Sequence, residues 1–218
     1  MANRSQPRSQ ADTPARIRRS YFECRYGQLH VHHAIPAGGG FEEGTTLLAL
    51  HAAPSTGRMF AGLLASMGAD RSGFAPDLPG FGQSDAPAAP LSVVDHAAAI
   101  GDFLEAMRLR QVDVLGCGLG ALVALELALQ RPGVRRVVLM PPFPGEAEAA
   151  GRQYPLGAQL ARIAQPALVL CPPEMPPALA KELGNLPARA RRELPGGLSL
   201  FETAPGAIAE AIRDFLNG

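Results

Sequence analysis

Val114-Leu115-Gly116-Cys117-Gly118-Leu119-Gly120-Ala121 decides how this chain folds. Val112–Gly116 is apolar and reads as a strand, and Leu119–Gln130 reads as a helix. Three glycines stand at the join, where a strand must turn at once into a helix and leave room for close backbone passage. Outward from this point the pattern repeats. Thr45–His51, Val134–Met140 and Ala167–Cys171 are continuous apolar runs bounded by turn formers, the signature of strands buried on both faces. Gly73–Asp77 and Ala188–Leu194 are shorter strands. Between them lie helices at Arg58–Met67, Leu91–Leu109 and Ala207–Leu216, with shorter pieces at Leu156–Ala164 and Ala178–Leu183. Ser92 is placed to cap the second helix, whose Val93, Ala97, Ile100, Phe103, Leu104 and Met107 share one face. Ser20–Tyr26 and Gln28–Ala34 form a hairpin around Gly27.

Strands alternating with helices predict an α/β fold: about eight strands, mostly parallel, an antiparallel N-terminal hairpin, and helices on both faces. Residues 20–218 form that domain, and residues 1–19, polar and Arg-rich, are expected to be a disordered tail.

Twenty basic residues balance twenty acidic ones, so nothing points to nucleic acid or a membrane surface as partner. No apolar run approaches the ~20 residues needed to cross a bilayer. With 47% hydrophobic and 18% charged residues, the chain can bury a sizeable core. Three scattered cysteines (Cys24, Cys117, Cys171) make neither a disulfide framework nor a CxxC metal site, and a reducing cytoplasm is the expected compartment.

Three segments, in order, resemble the α/β-hydrolase superfamily. Leu50-His51-Ala52-Ala53-Pro54 is similar to its HGxP segment, which supplies an oxyanion-hole amide. Asp77-Leu78-Pro79-Gly80-Phe81-Gly82-Gln83-Ser84 is similar to its DxPGxGxS turn. Val114–Ala121 stands where that family carries its G-x-S-x-G nucleophile elbow. The resemblance implies an α/β-hydrolase fold, with His51, Ala52, Ala53 and Leu119 around a pocket and oxyanion hole.

The same resemblance implies a vacant triad. The elbow tip is Gly118, which suits a strained backbone and projects no side chain. The acid slot falls on Glu174 or Met175, and the base slot on Leu198 within Pro195-Gly196-Gly197-Leu198. No histidine follows His96. A triad works as a unit, and subtilisin, the standard worked case, loses roughly 10⁶-fold in turnover without its serine or histidine. Family members also commonly insert a cap after the sixth strand; here only the stretch from Pro141 to about Gln165 is available, so no lid domain is expected.

Other candidates have plainer readings. Cys117 and Ser55 are weak alternative nucleophiles, each without a base, and Cys117 reads as a packing residue. His51 reads as a structural hydrogen-bonder. His30, His32 and His33 suggest metal, but no carboxylate stands near them in sequence, so no metal or other cofactor is expected. His96, early in a helix, reads as a surface or packing residue. Asp77, Ser84 and Asp85 read as turn formers, and Glu146 and Glu148 as solvated loop charges. The expectation is an α/β-hydrolase-fold protein that binds a small molecule or a partner, with a homodimer through the uncapped face. A hydrolase or lyase with non-standard residues is the alternative.

Overall fold

The structure is a computed structural model that describes residues 15–36, 44–140, 154–171, 176–186 and 189–218. Its strands are β1 (Arg18–Cys24), β2 (Gly27–Ala34), β3 (Gly44–Leu50), β4 (Arg71–Pro76), β5 (Val112–Cys117), β6 (Val134–Met140), β7 (Ala167–Cys171) and β8 (Arg189–Glu193). They form one sheet in the order β1-β2-β4-β3-β5-β6-β7-β8. The hairpin pairs antiparallel, as does β2 with β4, and the pairs from β4 through β8 are parallel. This is the α/β architecture the sequence predicts. The hairpin begins earlier than expected, at Arg18, and Ala15 already donates from its N–H to the Ala65 carbonyl at 3.3 Å. Arg18 and Arg19 fit an edge strand because long side chains can lay their stems on the sheet and keep their charge in water.

The helices are α1 (Ala61–Met67), α2 (Val93–Ala106), α3 (Leu119–Gln130), α4 (Leu156–Leu160), α5 (Pro177–Leu183), α6 (Leu200–Thr203) and α7 (Pro205–Asn217). Alternate residues of each strand point to opposite faces, which is why the strands read as unbroken apolar runs. Leu48, Leu50, Val114 and Val137 join the layer beneath α2 and α3. Leu47, Ala49, Leu115 and Val138 join the layer shared with α1 and α7. All of α3 from Leu119 through Ala128 is buried, as befits a helix apolar around its circumference. Ser92 caps α2 in a reciprocal capping box with Asp95, a device worth about 1 kcal/mol.

Chain order reverses at β3, which has β4 on one side and β5 on the other. The connections after β3 and β5 leave in opposite directions and open a crevice at the carboxyl ends of these strands, where open α/β sheets bind ligands. His51–Pro54 and Gly118 both lie at that crevice. At the opposite, amino-terminal ends of these strands Arg71 comes within 3.6 Å of Asp113 and bonds Asn217, tying the sheet to the last helix. Among the described residues no helix is long and apolar enough to cross a membrane.

Candidate functional site

β5 passes into α3 through Gly118, whose backbone sits at φ 52°, ψ −119°, a region that L side chains rarely adopt. Its N–H donates to the Met140 carbonyl at 3.0 Å and its carbonyl accepts from Ala121 at 3.0 Å. The flanking glycines are steric necessities. A Cβ at Gly116 would meet the Gly120 carbonyl oxygen at 2.3 Å, and one at Gly120 would meet the Leu50 oxygen at 2.1 Å. The Gly120 N–H reaches the His51 carbonyl at 3.0 Å and locks the turn to the end of β3.

His51 is fully buried. Its Nδ1 lies 2.9 Å from the Ala52 carbonyl, a contact that needs a proton on Nδ1, and its Nε2 accepts from the Leu78 N–H at 2.8 Å. Both nitrogens are thus used, in a neutral ring. Burial pushes the His51 pKa down, against the opposing pull of the Ala52 carbonyl. The ring pins the loop after β3 to the loop after β4. Ala52 is buried too and accepts from the Ser55 N–H at 2.8 Å. His51 and Ala52 therefore support the crevice from behind and are not among its described walls.

Asp77 fixes the second loop. Its carboxylate accepts from the N–H groups of Gly57 (2.7 Å) and Gln83 (3.0 Å) and lies 3.0 Å from His30 Nδ1. Asp77 thus supplies the carboxylate that sequence order concealed from the histidines of β2, and ligand atoms of His30, His32 and Asp77 all lie within 4.8 Å of one another. The carboxylate already serves three donors there, which makes organisation of the turn its evident role. His33 points to the other face and stacks on Phe74 at 5.7 Å.

The two loops and α2 line an open cavity of about 530 Å³. Ala53 and Leu119 line it, with Pro79, Phe81, Leu91 and His96. Among the described residues, no loop or cap hydrogen bond takes up the N–H of Ala53 or of Leu119. Two main-chain donors thus border a largely apolar space beside Gly118. Ser55 stands apart, in an open groove with Thr56, Arg58 and Glu202. Cys117 is buried within the core under α1 and α7. Leu198 follows β8 as expected, in a short 3₁₀ turn over Gly197–Ser199, packed against that same core. Glu174, Glu146 and Glu148 lie outside the described residues.

A sequence profile described as the alpha/beta hydrolase fold matches residues 45–174, which run from β3 past β7. The chain belongs to the α/β-hydrolase fold family. A haloalkane dehalogenase of Mesorhizobium japonicum is 32% identical over 89 residues, covering 41% of this chain and 29% of that protein. A 2-hydroxymuconate semialdehyde hydrolase of a Pseudomonas species is 42% identical over 71 residues, 30% of this chain and 24% of that one. The chain thus spans less than a third of the length of the curated relatives it matches. The enol-lactonase of Burkholderia xenovorans superposes with a TM-score of 0.79 at 16% identity, covering 91% of this chain and 100% of that one. A haloalkane dehalogenase of Bradyrhizobium elkani gives 0.76 at 17% identity, over 93% and 98%. At such identities the likeness speaks to the fold alone.

Within this α/β-hydrolase fold, the sequence pattern located Ala53, Leu119 and the Gly118 turn. It missed His96 as a cavity wall. The residue lies a helix turn beyond Ser92, and only the packing of α2 against the loop carrying Phe81 brings it to the crevice (ring centroids 6.1 Å apart). The large apolar side chains exposed among the described residues are Tyr21, Ile35 and Val94.

Proposed function

We infer that this α/β-hydrolase-fold protein binds a small, mostly apolar molecule in the cavity beside Gly118 and does not turn it over by a Ser-His-Asp route. One observation carries the reading. Ala53 and Leu119, whose N–H groups no loop or cap hydrogen bond among the described residues takes up, line an open cavity of ligand size, while the turn beside them presents a glycine. Such donors hold a carbonyl or hydroxyl oxygen in place whether or not a nucleophile attacks it. The base position holds Leu198, and His51 has both nitrogens engaged. The relatives named as a dehalogenase and a semialdehyde hydrolase keep a second reading in view, hydrolysis with other residues.

Two measurements separate the readings. Purified protein should bind acetophenone saturably, seen as a concentration-dependent rise in Tm, because a ligand of the folded state stabilises it by mass action. It should leave p-nitrophenyl butyrate at the buffer rate. Saturable turnover of that ester would overturn the binding reading in favour of the enzyme.

Gly118→Ser provides a further check. The positive φ strains any side chain there, so the variant should lose about 1–3 kcal/mol in urea unfolding. It should still not hydrolyse the ester, since a hydroxyl without a base is a poor nucleophile. Ester turnover by this single variant would mean that a base is already in place.

A further inference from the structure

β2 presents two imidazoles on one face. His30 and His32 stand two residues apart on the strand, so both side chains point the same way, and their ring centroids lie 4.7 Å apart. Asp77 comes to them from the end of β4. Its N–H donates to the His30 carbonyl at 2.8 Å, and its carboxylate lies 3.0 Å from His30 Nδ1. One ligand atom from each of the three lies within 4.8 Å of the others, and all three residues are buried. Around a metal ion, nitrogen and oxygen ligands at about 2.1 Å stand roughly 3–3.5 Å apart. The His30–Asp77 pair already meets that spacing, and a rotation of the His32 ring closes the set. Burial and nearby charges act on that ring, and among the described residues no hydrogen bond holds it. His33 and His96 each carry a sealed nitrogen without a partner, but His30 and His32 do not. His32 also keeps 8% of its surface in contact with solvent, so the cluster is not closed to a small ion.

Two imidazoles and a carboxylate bring three lone pairs to one place. A water molecule donates to two of them at most, whereas a divalent cation engages all three. A majority of nitrogen ligands favours zinc over magnesium or calcium, which call for oxygen. Ligation leaves the turn intact. Each carboxylate oxygen has two lone pairs, so Asp77 keeps its bonds from the Gly57 and Gln83 N–H groups, which orient it as outer-shell partners do. Only the contact with His30 Nδ1 is exchanged for the metal, and the neutral ring then carries its proton on Nε2. Arg19 and Arg58 lie near His32 and repel added positive charge, so the affinity falls short of that of a closed four-ligand site.

We propose that His30, His32 and Asp77 form a zinc-class metal site that ties β2 to the loops after β3 and β4, with water completing the coordination. The site stands independently of the binding reading above.

The probe is Zn²⁺, added to the full-length protein after treatment with a chelator. Calorimetry should show one site per chain, and Tm should rise saturably with Zn²⁺ because the ion binds the folded state. In NMR the ring signals of His30 and His32 should move. Those of His33, on the other face, and of His51, with both nitrogens engaged, should stay in place. Mg²⁺ at the same concentration should do none of this. His32→Phe should weaken Zn²⁺ binding by at least about tenfold, a loss that even outer-shell partners cause, and His33→Gln should leave it unchanged. Still signals from His30 and His32 at millimolar Zn²⁺ would overturn the site, as would binding that survives His32→Phe undiminished; either result marks any bound ion as adventitious. An equal response to Mg²⁺ would overturn the assignment to the zinc class. The wild-type spectra decide the matter even if a variant does not fold.

Discussion

Asp77→Ala is expected to lower the stability of this protein by about 3–5 kcal/mol, the range for removing one member of a buried, charge-assisted network. The carboxylate is nearly inaccessible to solvent and serves the Gly57 and Gln83 N–H groups and His30 Nδ1 together. Its main chain adds bonds from Ser84 Oγ at 2.6 Å and to the His30 carbonyl at 2.8 Å. Alanine keeps the main-chain bonds and strands the other donors in a site with little room for water. Asp77→Asn keeps one acceptor and turns an amide donor toward another donor, so about half of that loss is expected. Urea unfolding at pH 7 measures both. The same carboxylate holds the loop bearing Phe81, so ligand affinity in the cavity should fall together with stability. A loss below about 1 kcal/mol for the alanine variant would show that the network does not hold the loops as described.

Acid should weaken the fold through its buried histidines well before the carboxylates dominate. His96 is pulled down to about 4 from an ordinary 6.5, first by burial and then by His51. Below pH 6.5 the unfolded chain therefore takes up a proton that the folded chain refuses. The contribution of His96 is complete above pH 6.5 and is lost progressively as pH falls toward 4, a gap worth about 3 kcal/mol. Burial also lowers His32, His33 and His51, which act in the same sense. Burial raises Asp113, which opposes them by favouring the protonated carboxyl in the fold. Asp95 and Asp102, held low chiefly by hydrogen bonds from Ser92 and Arg25, add their loss only as pH falls through the carboxylate range. Comparing wild type with His96→Gln cancels these shared terms. The variant should show a clearly flatter stability profile between pH 6.5 and 4, and parallel profiles would remove His96 from the account.

Much of this was legible in the sequence. The runs Thr45–His51, Val134–Met140 and Ala167–Cys171 announce buried strands because both faces of such a strand are covered and turn formers bound each run at strand length. The glycines around residue 118 announce a turn too tight for side chains, and a Cβ added at 116 or 120 would collide with a neighbouring carbonyl. Ser92 and Asp95 announce a helix start because a cap depends on residues only three apart. In each case the physics is local and leaves a local mark.

The order of strands, with the chain reversing at β3, joins elements far apart in sequence and follows from how the helices cover the two faces. His30 and Asp77 meet across a distance of 47 residues. His96 looks in the sequence like any polar residue early in a helix. The fold buries it beside Phe81 with its Nδ1 unpartnered among the described residues. Residue identity and periodicity were enough for the scaffold and for the glycine at the turn. Which polar groups are buried, and which of them already have a partner, depends on long-range packing, so only the tertiary structure decided it.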